Sequence, residues 1–146
     1  MKNKTIHSLT LVLLWVLVLF SAIASVMPFI PLSWIVRHDF VEYSDICVNE
    51  TRQLVTTQRH VPFALSAVSF GEVHKITGGI RRETTIRRKA NFVYQKESKQ
   101  IQYTILWDSP FVIEGDYEAI QFVDVHFGWF TITGEAPRGK FSVIKC

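Results

Sequence analysis

Hydrophobic and polar positions divide the chain into two unlike parts. From Ser8 to Val36 no charged residue occurs, and Ser8–Phe29 reads SLTLVLLWVLVLFSAIASVMPF. A helix from Leu9 to Pro28 would span about 30 Å, the thickness of a bilayer core. It would also bond every backbone group internally, as lipid requires. Pro28 and Pro31 then end it, and Trp34 follows where an indole suits the membrane interface. Past Arg37 the period changes from continuous to two. Ile101, Tyr103, Ile105 and Trp107 alternate with Gln100, Gln102, Thr104 and Leu106, the mark of a strand with one apolar face.

Similar runs predict strands at 54–61, 63–70, 72–77, 91–95, 129–133 and 141–145, with 41–48 as an additional first strand. Residues 117–127 are apolar on both parities (Tyr117, Ala119, Val123, Val125 and Phe127 against Ile120 and Phe122), as expected of a central strand or one with a bulge. Turn signals separate the runs: Gly78-Gly79, Asp108-Ser109-Pro110, Glu114-Gly115-Asp116 and Pro137-Arg138-Gly139. No stretch after residue 36 sustains a 3.6-residue period. The expectation is an all-β antiparallel sandwich preceded by one N-terminal transmembrane helix, with an open barrel as the alternative.

The stretch IEGDYEAIQFVDVHF, Ile113–Phe127, resembles the turn and penultimate strand of immunoglobulin-like sandwiches. The resemblance implies an immunoglobulin- or fibronectin-like architecture and puts Tyr117 at a sheet corner. It covers some fifteen residues and departs from antibody domains at Ala119, which stands where they carry their second inter-sheet cysteine.

Charge then orients the chain. Lys2, Lys4 and the amino terminus precede the apolar segment, and only Arg37 closely follows it. That bias predicts a short cytoplasmic N-terminus (1–8), a signal anchor contacting membrane lipid (9–30) and an extracytoplasmic domain (33–146), periplasmic or extracellular. The rival is a signal peptide cleaved after Ala24, at the small-x-small site Ala22-Ile23-Ala24, which would release a soluble module on the same side. Lys2 and Lys4 supply two of the 16 cations against 13 acids, so the rest of the chain is only about +1. Nucleic acid is not expected as a partner.

The chain has two cysteines, Cys47 and Cys146. An external compartment permits a disulfide between them, closing a loop of about 100 residues that the chain-entropy view values at roughly 4–5 kcal/mol. The alternative is two unpaired thiols. The densest charge feature is IRRETTIRRKANF, Ile80–Phe92, where Arg81, Arg82, Arg87, Arg88 and Lys89 face a single acid, Glu83. They are candidates for contact with an anionic or protein partner, the alternative being a solvated edge strand whose charges discourage aggregation.

Glu114, Asp116, Glu118 and Asp124 form an acidic zone without a calcium-loop pattern. His7, His38, His60, His74 and His126 include no pair at metal-ligand spacing, and no Gly-x-Ser-x-Gly elbow or phosphate loop occurs. No catalytic residue, metal or cofactor is assigned. Asn49-Glu50-Thr51 is a glycosylation sequon on the external side, and Asn3-Lys4-Thr5 matches the same pattern before the membrane segment. The function expected is that of a membrane-anchored binding or accessory module, with a hydrolase whose site the sequence does not reveal as the alternative.

Overall fold

The computed structural model describes residues 2–146, with side chains from His7 onward. Met1 and the side chains of Lys2, Asn3 and Lys4, on which the expected orientation and the second sequon rest, lie outside the described residues. Two units make up the chain, residues 1–30 and 31–146. The first holds helix α1 (Lys2–Val26), followed by a 3-10 turn at Met27–Phe29 that carries Pro28. The α-helix stops earlier than the expected 30, because proline lacks the N–H that another turn would use. Segment His7–Phe29 is long and apolar enough to cross a membrane, and its most apolar window is entirely unburied.

The second unit opens with a 3-10 turn at Leu32–Trp34. Nine strands follow: β1 (Arg37–Tyr43), β2 (Ile46–Cys47), β3 (Arg52–Val61), β4 (Leu65–Thr77), β5 (Ile80–Tyr94), β6 (Glu97–Leu106), β7 (Gly115–Phe127), β8 (Phe130–Glu135) and β9 (Gly139–Ile144). They form two sheets. One has the order β1-β3-β6, and the other runs β2-β9-β7-β4-β5 with β8 also on β7. All pairs are antiparallel except β2 with β9. Strand β7 is central, flanked by β4 on one side and by β8 and then β9 on the other. That explains its two apolar parities.

The sheets pack face to face, which makes the unit a β-sandwich. Tyr43, Val55, Ile105 and Trp107 of the first sheet and its exit share a core with Val73, Ile86, Tyr117, Ala119, Phe141 and Val143 of the second. A second cluster joins Val61 to Leu65, Ala67, Tyr94, Val123 and Val125, with Leu32 and Val36 of the entry segment. Glycines allow this approach where aromatic or branched side chains cross between layers. A Cβ on Gly139 would collide with the Tyr43 ring, and one on Gly134 with Leu32.

Several boundaries differ from the sequence expectation. The expected segments 63–70 and 72–77 merge into one strand, β4, which starts at Leu65 and has Gly71 inside it. The expected strand at 91–95 is the end of a fifteen-residue strand, β5, that takes in the whole basic stretch. Segment 41–48 is split between sheets, because β1 ends at Tyr43 and β2 pairs with β9. These are features of long-range pairing, to which a local alternation is blind.

Cys47 and Cys146 form a disulfide, Cα–Cα 5.5 Å and 99 residues apart in sequence. It joins the end of β2 to the last residue, just past the register pair Cys47–Ile144. Its chief effect is on the unfolded chain, which it closes into a long loop. Reduction, or replacement of both cysteines by serine, is expected to cost about 2–5 kcal/mol. Thermal unfolding with and without reductant measures this, and superimposable curves would contradict it.

Candidate binding cleft and the basic strand

Strand β5 is an edge of one sheet and β6 an edge of the other. The turn at residues 95–96 carries the chain from the first to the second, so the two edges run side by side. They are bridged again at the far end. The Arg87 N–H donates to Asp108 Oδ1 (2.8 Å) and the Asp108 N–H to the Arg87 carbonyl (2.9 Å). Between bridge and turn the layers stay apart and leave a cleft of about 260 Å³. Arg88, Ala90, Phe92, Val93 and Tyr94 line it from β5, and Ile101 and Tyr103 from β6. His38, Arg59 and Gln121 complete the lining.

The five cations of the basic stretch do not form one patch. A bulge between Glu72 and His74 sets the β4–β5 register, with Gly71 opposite Arg88 and Glu72 opposite Arg87. Arg81 pairs with the buried Glu118 carboxylate (2.7 Å), and Arg87 with Glu83 (2.8 Å). Lys89 Nζ lies 5.2 Å from the Phe70 ring centre. Arg82 is exposed and makes no ion pair among the described residues. Arg88 has the opposite parity to Arg87 and Lys89 and turns into the cleft.

Inside the cleft, electrostatics are set by burial. Arg59 is ion-paired to Glu97, both side chains being largely buried, and its guanidinium sits 4.8 Å over the Tyr94 ring. The Thr57 hydroxyl donates to the Phe40 carbonyl (2.7 Å), so it can only accept from His38 Nδ1 (3.2 Å). Burial, then the nearby Arg59 charge, lowers the His38 pKa to about 4, so the ring is neutral. Burial likewise raises the Tyr103 and Tyr94 phenols, which stay protonated. Desolvation also lowers the Arg88 pKa, with Tyr103 and Tyr43 as its charge-sensitive neighbours. A guanidinium is nonetheless charged throughout the accessible pH range.

The sequence reading missed Arg59, His38 and Tyr103 as neighbours of Arg88. They come from three strands of the other sheet, and parity gave no signal, since the exposed Arg82 shares that of Arg88. The acidic zone is likewise dispersed. Glu118 serves Arg81, Asp116 accepts from the Ser142 hydroxyl (2.8 Å), and Asp124 accepts from Thr133 (2.7 Å). No cluster of three or more potential metal ligands occurs among the described residues. Asn49 of the sequon is exposed in the turn between β2 and β3, at a φ of 69°. The Tyr117 hydroxyl donates to the Ile113 carbonyl four residues upstream (2.7 Å), tying the turn to the start of β7.

No protein-family model and no curated protein matches the chain. Among solved structures it is similar to the ASH / PapD-like domain of human CEP192 (PapD-like domain 7). The TM-score is 0.47 at 13% identity, over 76% of this chain and 84% of that one.

Two outcomes follow from these contacts. Arg81→Ala leaves the Glu118 carboxylate buried without its partner and is expected to destabilise by about 1–3 kcal/mol. Arg82→Ala is expected to change stability by less than about 0.5 kcal/mol. Denaturant unfolding of the two variants side by side tests this, and equal effects would contradict it. For His38 the folded pKa lies below the unfolded value. Its contribution is therefore complete above about pH 6.5 and lost as pH falls from there toward about 4. The loss is at most roughly 3 kcal/mol. The melting temperature of wild type minus that of His38→Gln should fall across that window, and a pH-independent difference would contradict the assignment.

Proposed function

We propose that the chain is a single-pass membrane protein whose external β-sandwich acts as a binding or accessory module. The observation that carries this is the helix. The large apolar side chains from Leu9 to Val26 lie exposed, which in water would be strongly unfavourable and in lipid is the favoured state. Residues 31–146 contain a core of their own and need no apolar contribution from it. Exposed Trp34, close after the helix in sequence, adds support, because an indole favours the boundary between headgroups and water.

External placement is supported by the disulfide, a bond that persists in oxidising compartments. The immunoglobulin- or fibronectin-like form of the sandwich belongs to the same reading, supported by the Tyr117 hydroxyl bonded back to its own turn. The binding role is supported by the open side between β5 and β6, where a cleft with cationic and aromatic lining lies beside an exposed basic strand. The exposed Arg82, Arg87 and Lys89 are then candidate contacts for an acidic partner surface.

The full-length chain is expected to remain in the membrane pellet through an alkaline carbonate wash. Its cysteines should resist maleimide labelling until reductant is added, and protease supplied from the external side should remove the sandwich. A full-length, uncut chain recovered in the soluble fraction would refute the anchor. A mature N-terminus at Ser25 would replace the anchor with a cleaved signal and leave the external module intact.

A further inference from the structure

We infer that the cleft between β5 and β6 binds a small carboxylate with an apolar body. The carboxylate is held by Arg88, and the body lies against Ala90, Phe92, Ile101 and Tyr103. The inference rests on the reading of the sandwich as a binding module. Its experiment reads ligand affinity and not membrane association, so either can fail alone.

Charge points to an anion. Of the ionisable side chains lining the cleft, Arg59 is neutralised by Glu97 and His38 is an uncharged ring. Arg88 is half-buried and, among the described residues, makes neither an ion pair nor a hydrogen bond. A partly desolvated cation without a counter-charge is unfavourable, and a bound anion relieves it. The position of Arg88 agrees with this. Gly71 lies opposite Arg88 on β4, and a Cβ there would come within 2.8 Å of Arg88 Cγ and 3.2 Å of Cδ. The missing side chain makes the bed in which the arginine stem lies. A residue meant only for solvent would need no such bed.

Charge count and lining together select the ligand. One uncompensated charge matches a monoanion. A phosphate dianion would need a second cation, and Arg59 is already committed. The planar guanidinium fork fits two carboxylate oxygens. Beyond Arg88 the walls are mainly aromatic and aliphatic, and about 260 Å³ is near the lower end of ligand-pocket sizes, roughly 300–1,000 Å³. Acetate would leave that wall wet.

The test uses the full chain in lipid nanodiscs, titrated calorimetrically with 3-phenylpropanoate against empty discs. Saturable one-site binding is expected, at least tenfold tighter than for acetate, 3-phenylpropanol or 3-phenylpropylamine. Arg88→Met should weaken it at least tenfold, while Lys99→Gln, an exposed cation of β6 outside the cleft lining, should keep affinity within twofold. Ala90→Leu fills the cleft without touching the guanidinium and should also weaken binding at least tenfold, which keeps the test decisive if Arg88→Met does not fold. Absence of saturable binding to the wild type would overturn the inference. Equal affinity for the alcohol, or unchanged affinity in either cleft variant, would do so as well.

Discussion

The sandwich depends on an interlocked group of aromatic rings between its layers. Phe111 sits at the centre, edge-on to Trp107, Tyr117 and Phe141 with ring centres 6.1, 5.4 and 5.5 Å away. Tyr117 in turn stacks on Phe141, and Tyr43 leans on Phe141 from the other sheet. Edge-to-face rings combine large apolar burial with a favourable quadrupole geometry. Phe111 belongs to no strand. Its N–H and carbonyl bond to Glu50 and Asn49, which holds the β6–β7 connection against the β2–β3 turn. The polar groups of Trp107 and Gln53 brought inside are satisfied. Trp107 Nε1 donates to Gln53 Oε1 (2.9 Å), and Gln53 Nε2 to the Ser44 carbonyl (2.6 Å).

This tight packing occupies one end of the sandwich, where the disulfide also lies, and it leaves the β5–β6 side less closed. Past the Arg87–Asp108 bridge the apolar Ala90, Phe92 and Ile101 are interrupted by guanidinium groups, phenols and a neutral imidazole, side chains that do not interdigitate as Val and Ile do. The cleft is therefore a consequence of which residues β5 turns inward. Core packing and cleft lining are separated along a single strand. Ile86 belongs to the aromatic core, Arg88 and Ala90 to the cleft, and Tyr94 to the second cluster.

How legible was this beforehand? The two-residue period at 100–107 specified β6 and its inward face, because alternation is a property of neighbouring residues. The doubly apolar 117–127 indicated a central strand for the same reason. The basic stretch was legible as a possible edge strand, but the full length of β5 was not, because Arg, Lys and Glu have weak strand preference and pairing with β4 is what extends it. Gly71 read as a break between two strands. It is an interior position emptied to admit Arg88, and only the facing strand reveals that.

By itself the sequence determined that a charge-free apolar helix is followed by an alternating, strand-rich chain, since both are short-range patterns. It also supplied the two cysteines and the density of cations in Ile80–Phe92. Tertiary structure alone decided that Cys47 and Cys146 meet, that Glu118 is buried against Arg81, and that Arg88 leaves its neighbours for a cleft shared with His38, Arg59 and Tyr103. The reason is physical. Register and bulges fix which side chain points where, and they are set by hydrogen bonds between segments far apart in the chain.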